Sequence, residues 1–135
     1  MIDKIKKKWG QHFLADTNLL KKLVKLIDPL KSESLLEIGP GGGALTELLD
    51  PYVKDLIGVE VDKKLFNKLC SRNDLPNSSF INEDFLKLDL STLVFQTRNI
   101  RLVGNLPYNI SSQIIFRLLE KENFWRDCHF MVQKE

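Results

Sequence analysis

The sequence predicts an α/β domain of the Rossmann-like kind, in which helices cover a mostly parallel sheet. Three observations predict it. Short apolar runs alternate with amphipathic helical segments along the chain. A glycine cluster follows the first of those runs directly, and single acidic residues follow the next two. Alternation of this kind makes neighbouring strands parallel and joins them by crossover helices. Ligands of such sheets bind beyond the carboxyl ends of the strands, near the point where strand order reverses.

The elements follow in order. From Asn18 to Ile27, residues Leu19, Leu20, Leu23, Val24 and Ile27 share one helical face. Asp28-Pro29 ends that helix, because proline disfavours helical geometry in the residue before it. Leu35 to Ile38 is a short buried strand, and Ala44 to Leu49 is a turn or two of helix stopped near Pro51. Leu56 to Val61 is a second strand. Asp62 is placed to cap the helix after it, whose Leu65, Phe66 and Leu69 face inward. Ser79-Phe80-Ile81 forms a third strand and Ile100 to Val103 a fourth. Ser111 to Leu119 is helical, with Ile114, Ile115, Leu118 and Leu119 inward, and His129 to Val132 is the fifth strand.

A chain of 135 residues, 43% hydrophobic and 28% charged, fits one globular domain and reads as a folded rather than a disordered protein. No apolar run approaches a membrane span, and the N-terminus has no apolar signal region. Cys70 and Cys128 stand apart without metal-ligand spacing. A reducing, cytoplasmic setting without membrane or metal is therefore expected. Charge is uneven. Residues 1–31 hold eight lysines against three aspartates, a net +5, so with +2 overall the remainder carries −3. A basic arm over residues 1–16, with Lys4, Lys6, Lys7 and Lys8, suits an acidic partner, although charge alone favours the commoner explanation of a solvated lysine-rich tail.

The strand ends carry the chemistry. Gly39-Pro40-Gly41-Gly42-Gly43-Ala44 follows the first strand, where residues without side chains let the backbone turn sharply and approach a ligand. Gly39, Gly41 and Ala44 also match the loose dinucleotide pattern. Glu60 lies 21 positions after Gly39, where a carboxylate accepts hydrogen bonds from ribose hydroxyls. Asp84 follows the third strand, placed to accept from the exocyclic amine of a bound adenine. A tight strand-to-helix turn and two solvent-facing acids would read the same way singly. At three successive strand ends they point to a nucleoside, either S-adenosyl-L-methionine or a nicotinamide dinucleotide.

Asn105-Leu106-Pro107-Tyr108, after the fourth strand, discriminates between these. Adenine N6 is a poor nucleophile, since its lone pair is delocalised into the ring. Methylating it needs acceptors that hold the amine protons and aim the lone pair. The Asn105 carboxamide and the Leu106 carbonyl suit that task. Pro107 stiffens the turn, and Tyr108 offers a face on which an extruded base stacks. An Asx-type turn beside a packed tyrosine is the competing structural explanation.

With these residues in view the chain resembles a known family. Lys8-Trp9-Gly10-Gln11-His12-Phe13-Leu14, Leu36-Glu37-Ile38-Gly39-Pro40-Gly41, Gly104-Asn105-Leu106-Pro107-Tyr108-Asn109-Ile110-Ser111 and His129 to Glu135 are similar to segments of the ribosomal RNA adenine dimethylases, in particular their bacterial small-subunit branch. The resemblance implies a class I S-adenosylmethionine-dependent methyltransferase fold. It implies dimethylation at N6 of two adjacent adenosines near the 3′ end of 16S rRNA in the 30S subunit. His12, Leu14, Gly39, Gly41, Glu60, Asp84 and Asn105 would contact the cofactor. Asn105, Leu106, Pro107 and Tyr108 would handle the target base, and Lys4, Lys6, Lys7, Lys8 and Tyr108 the RNA.

The same resemblance sets limits. Members are about twice this length, are monomeric, and have seven strands and a helical C-terminal domain. Residues 1–135 are thus expected to be the N-terminal part of the catalytic domain, cut after the fifth strand and with that helical domain absent. Weak cofactor binding and poor RNA methylation are the expectation. An adenine-N6 DNA methyltransferase uses the same acceptor turn, and a non-catalytic RNA-binding or assembly module would keep only the fold. The large-subunit branch of the family and a nicotinamide dehydrogenase are more distant rivals.

Overall fold

The computed structural model of the protein describes residues 17–106, 109, 111–121 and 123–132. Five parallel strands form one sheet: β1 (Ser34–Ile38), β2 (Asp55–Glu60), β3 (Ser78–Asn82), β4 (Ile100–Leu106) and β5 (Asp127–Val132), in the order β3-β2-β1-β4-β5. Helix α1 (Thr17–Ile27) precedes β1. Helices α2 (Ala44–Leu49), α3 (Lys63–Cys70) and α4 (Ser111–Leu119) lie in the connections β1–β2, β2–β3 and β4–β5. The strand order reverses at β1, which pairs with β2 on one side and β4 on the other.

Alternation along the strands builds two cores. Leu35, Leu56 and Val103 face α1 and α2, where Leu20, Leu23, Ile27, Leu45 and Leu49 close over them. Leu36, Ile57 and Leu102 face the other way, onto Ile114 and Leu118 of α4, Trp125, and the segment carrying Phe85, Leu88 and Leu90. β1 and β2 are buried at every residue, as central strands covered on both faces must be.

Several sequence expectations move. Val61 lies outside β2 and is exposed. Leu65 and Phe66 are only half-buried, leaving Leu69 as the buried residue of α3, which packs toward the β3 edge of the sheet. On α4, Ile115 and Leu119 point outward and are 46% and 60% exposed, because only the Ile114–Leu118 row meets the sheet. Strand β4 runs three residues past its expected end at Val103 and takes in Asn105 and Leu106. It can do so because β5 continues the ladder, pairing Asn105 with Met131 and Leu106 with Val132, beyond the last β1 pair at Ile38 and Gly104. Asn105 is thus a strand residue rather than part of a turn.

Opposite the carboxyl ends, a charged network pins α1 beneath the sheet. Arg101 donates to the fully buried Glu33 at 2.8 Å, to Asp127 at 2.8 Å, and to the backbone carbonyls of Ile27 and Asp28. Arg126 takes the other Glu33 oxygen at 2.5 Å, and His129 joins through Asp127 at 3.3 Å. A cation at the C-terminus of α1 complements the carbonyls that end there. Asp28 turns the chain out with φ 48°. Burial works against the Asp127 carboxylate, yet the Arg101 guanidinium beside it holds its pKa below the ordinary value. Arg101→Ala would leave Glu33 buried with Arg126 alone, and a loss of about 3 kcal/mol or more is expected in urea unfolding. A loss below about 1 kcal/mol, the range of exposed pairs, would contradict this role.

Candidate nucleoside site

The site rises from the turn after β1. Gly39 and Gly41 have φ of 67° and 59°, the left-handed region in which glycine is unstrained. The Gly39 amide donates to Val59 O at 2.9 Å, so the turn starts as an extension of the β1–β2 pairing. A methyl group on Gly39 would sit 3.7 Å from the backbone oxygen of Asn105, which places the turn directly beside β4.

Glu60 closes β2 and is almost fully buried. One carboxylate oxygen accepts from Gly41 N at 2.8 Å and the other from Asp62 N at 2.9 Å. Each oxygen keeps a second lone pair for a further donor. The acid therefore ties the glycine turn to the end of β2 while retaining capacity for a ligand. Asp62 caps α3 as expected, accepting from Lys64 N and Leu65 N. At the end of β3, Asn82 donates to the Glu60 and Val61 carbonyls and holds the two strand ends together.

Asp84 is half-buried and opens a turn: Oδ1 accepts from Leu86 N at 3.0 Å, and its carbonyl accepts from Lys87 N and Leu88 N. Arg117 of α4 supports that turn from outside by donating to the Leu86 and Leu88 carbonyls, with its guanidinium 5.6 Å from the Phe85 ring centre. Asp84 thus shapes a turn and is not simply solvent-facing, the alternative set against it.

Asn105 is half-buried on β4, and its carboxamide oxygen is itself buried without a hydrogen-bond partner among the described residues. Leu106 beside it is fully buried. An orphaned buried acceptor costs free energy, of the order of 1–3 kcal/mol, so its presence beside the glycine turn is informative. The structure thus brings Gly39, Gly41, Glu60 and Asn105 to one edge of the sheet, with Asp84 one strand further out. The other sequence-derived candidates, His12, Leu14, Lys4, Lys6, Lys7, Lys8, Pro107 and Tyr108, lie outside the described residues. Among the described residues no cluster of three or more His, Cys, Asp or Glu could hold a metal ion, and no helix is long and apolar enough to cross a membrane.

One residue here went unassigned in the sequence. Glu37 sits inside β1 on the α2 side, 2% exposed, and accepts a hydrogen bond from Thr46 Oγ1 at 2.5 Å. Burial pushes its pKa up to about 7, a rise opposed by Thr46 and reinforced by the nearby Glu60 charge. The visible signal was a lone charge within the apolar run Leu35-Leu36-Glu37-Ile38.

Five parallel strands in this order, with a glycine turn after the central strand and an acid closing its neighbour, form a Rossmann-like nucleoside-binding fold, and the solved methyltransferases it resembles place it in the class I S-adenosylmethionine-dependent group. Within that class the match is specific. The model of the family described as ribosomal RNA adenine dimethylase covers residues 2–135, and the chain belongs to that family. Ribosomal RNA small subunit methyltransferase A of Leptothrix cholodnii is 47% identical over 131 residues, 96% of this chain and 48% of the relative. Among solved structures, a dimethyladenosine transferase from Plasmodium falciparum is 28% identical with a TM-score of 0.74, over 88% of this chain and 42% of its own. The 23S rRNA methyltransferase ErmE is 26% identical with a TM-score of 0.75, over 87% and 46%. The chain spans about half the length of the curated relatives it matches.

The raised pKa of Glu37 yields a signed expectation. Between its ordinary value of 4.5 and about 7, the folded state binds this proton more firmly than the unfolded state, so stability falls as pH rises through that window. Glu37→Gln removes the effect while keeping an acceptor for Thr46. Its melting temperature should match wild type near pH 4.5 and exceed it increasingly up to pH 8. A gap constant across that range would contradict the burial of an ionisable carboxyl.

Proposed function

We propose that the chain carries the cofactor and target-amine half of an enzyme that transfers methyl groups from S-adenosyl-L-methionine to adenine N6 in 16S rRNA of the small ribosomal subunit, producing N6,N6-dimethyladenosine. The observation that carries the reading is the unpartnered, buried oxygen of Asn105 beside the glycine turn. It is an acceptor kept vacant where the family's chemistry requires an amine to be held. Relatives named ribosomal RNA small subunit methyltransferase A, 47% and 46% identical over 96% of this chain, support the small-subunit substrate.

The residues fit the cofactor. Glu60 has capacity left for ribose hydroxyls after holding the glycine turn, Gly39 and Gly41 have no side chain to stand between the turn and the methionine end, and Asp84 keeps acceptor capacity for an adenine amine. His12 and Leu14 are proposed as further contacts, from the family resemblance. When bound, S-adenosylmethionine supplies an electrophilic methyl group on a sulfonium that departs as a neutral thioether.

The protein's contribution is alignment. Asn105 Oδ1 accepts one N–H of the target amine and turns its lone pair toward the methyl, with the Leu106 carbonyl as the second acceptor. Pro107 and Tyr108 are proposed to rigidify that corner and to stack the extruded base. Lys4, Lys6, Lys7 and Lys8 are proposed to pair with RNA phosphates. The amine proton is lost to water as the N–C bond forms, and alignment supplies much of the acceleration. Glu37 is no base for this step, because its carboxyl is buried against α2 and Thr46.

Asn105→Leu tests the reading in two directions. Removing an orphaned buried acceptor should leave the melting temperature unchanged or raised. Tritium transfer from labelled S-adenosylmethionine to unmethylated 30S particles should fall about 100-fold or more relative to wild type. Equal transfer by the variant, or wild-type preference for duplex DNA over 30S particles, would overturn the proposal.

A further inference from the structure

Arg72 does not touch the nucleoside site, yet it holds the back of the glycine turn. It stands two residues beyond the end of α3, and its side chain is 23% exposed. Its guanidinium donates through Nη1 to Gly42 O at 3.0 Å and through Nη2 to Glu47 of α2 at 2.7 Å. Asp74 accepts from Nε at 2.8 Å and from Nη2 at 2.6 Å. The guanidinium lies directly behind Gly43. A methyl on Gly43, where φ is 90°, would lie 2.6 Å from Arg72 Nη1 and 3.1 Å from Leu69 Cδ2.

The turn is therefore clamped from two sides. Glu60 takes the Gly41 amide on the β2 side, and Arg72 takes the Gly42 carbonyl on the α3 side. Within the turn, Gly43 N returns to Pro40 O at 2.9 Å. Two of its peptide groups thus have their orientation set by side chains from outside the turn. Asp74 and Glu47 together hold the Arg72 pKa above the ordinary arginine value.

We propose that Arg72 is a positioning residue for cofactor binding: by gripping Gly42 O and Glu47 together it pre-sets the glycine turn in the shape that receives the methionine end of S-adenosylmethionine. This rests on the functional reading above. A bound ligand then meets an ordered turn and does not have to order it, and that saving appears as affinity. A lysine in this place has no planar fork and reaches one of the two acceptors at a time. The neighbouring Asp74 ion pair is exposed and should matter little by itself.

The experiment is calorimetric titration of S-adenosyl-L-homocysteine into wild type, Arg72→Ala, Arg72→Lys and Asp74→Asn, with the melting temperature of each free protein. Arg72→Ala should weaken binding about tenfold, Arg72→Lys should fall between it and wild type, and Asp74→Asn should stay within about twofold. Melting temperatures of the lysine and asparagine variants should remain within a few degrees of wild type, which separates positioning from general stability. If Arg72→Ala does not fold, an intermediate affinity for Arg72→Lys at unchanged melting temperature supports the inference. Wild-type affinity in Arg72→Lys and Arg72→Ala overturns it and leaves the functional reading standing. Failure of wild type to bind S-adenosyl-L-homocysteine overturns the functional reading, and this inference falls with it.

Discussion

The pairing of β1 with β2 on one side and β4 on the other is the constraint on which the rest depends. Both neighbours are parallel to β1, so their carboxyl ends reach the same edge of the sheet. The connection leaving β1 crosses toward β2 through α2, while β4 continues toward β5. Above Ile38 and Gly104 the chain therefore parts to either side, and a ligand can enter where two backbones diverge. Gly39, Glu60 and Asn105 meet there because each lies at or just past the end of one of these three strands.

The two ends of the sheet treat polar groups differently. Below it, every acid of the core is taken up by structure: Glu33 by Arg101 and Arg126, Asp55 by Ser34 and Gln96 N, Asp50 by Asn77 and Ser78. Above it, among the described residues, Glu60 is engaged only by the Gly41 and Asp62 amides and the Asn105 oxygen has no partner. Satisfied groups contribute to stability, while the incompletely satisfied ones at the upper edge cost it. A stable framework at one end lets the other end keep acceptors free for a ligand.

Much of this was legible in the sequence because it rests on local signals. The alternation of apolar runs marked all five strands, Asp62 read correctly as a helix cap, and the glycine cluster marked the turn after β1. Amphipathic period identified α4 but placed Ile115 and Leu119 inward, because period alone does not say how wide a stripe the sheet will cover. The end of β4 was misplaced for a similar reason: Gly104 and Asn105 are poor strand formers, and beyond the Gly104–Ile38 pair with β1 it is pairing with β5 that carries the strand through Asn105 and Leu106. Arg72 carried no signal at all. It meets Gly42 across 30 residues of chain, and no local pattern records such a contact.

What the sequence determined by itself is the α/β class, the order of elements, and the residue types at the strand ends, since backbone propensity, hydrophobic period and glycine content act over a few neighbours. Family membership was also readable, carried by short motifs such as Asn105 to Ser111. Tertiary structure alone decided which ends meet and in what electrostatic state. Strand order placed Asn105 against the Gly39 turn, burial raised the pKa of Glu37, and the α3 exit set Arg72 behind the glycines. These depend on the approach of residues tens of positions apart, and that approach exists only once the sheet has closed around β1.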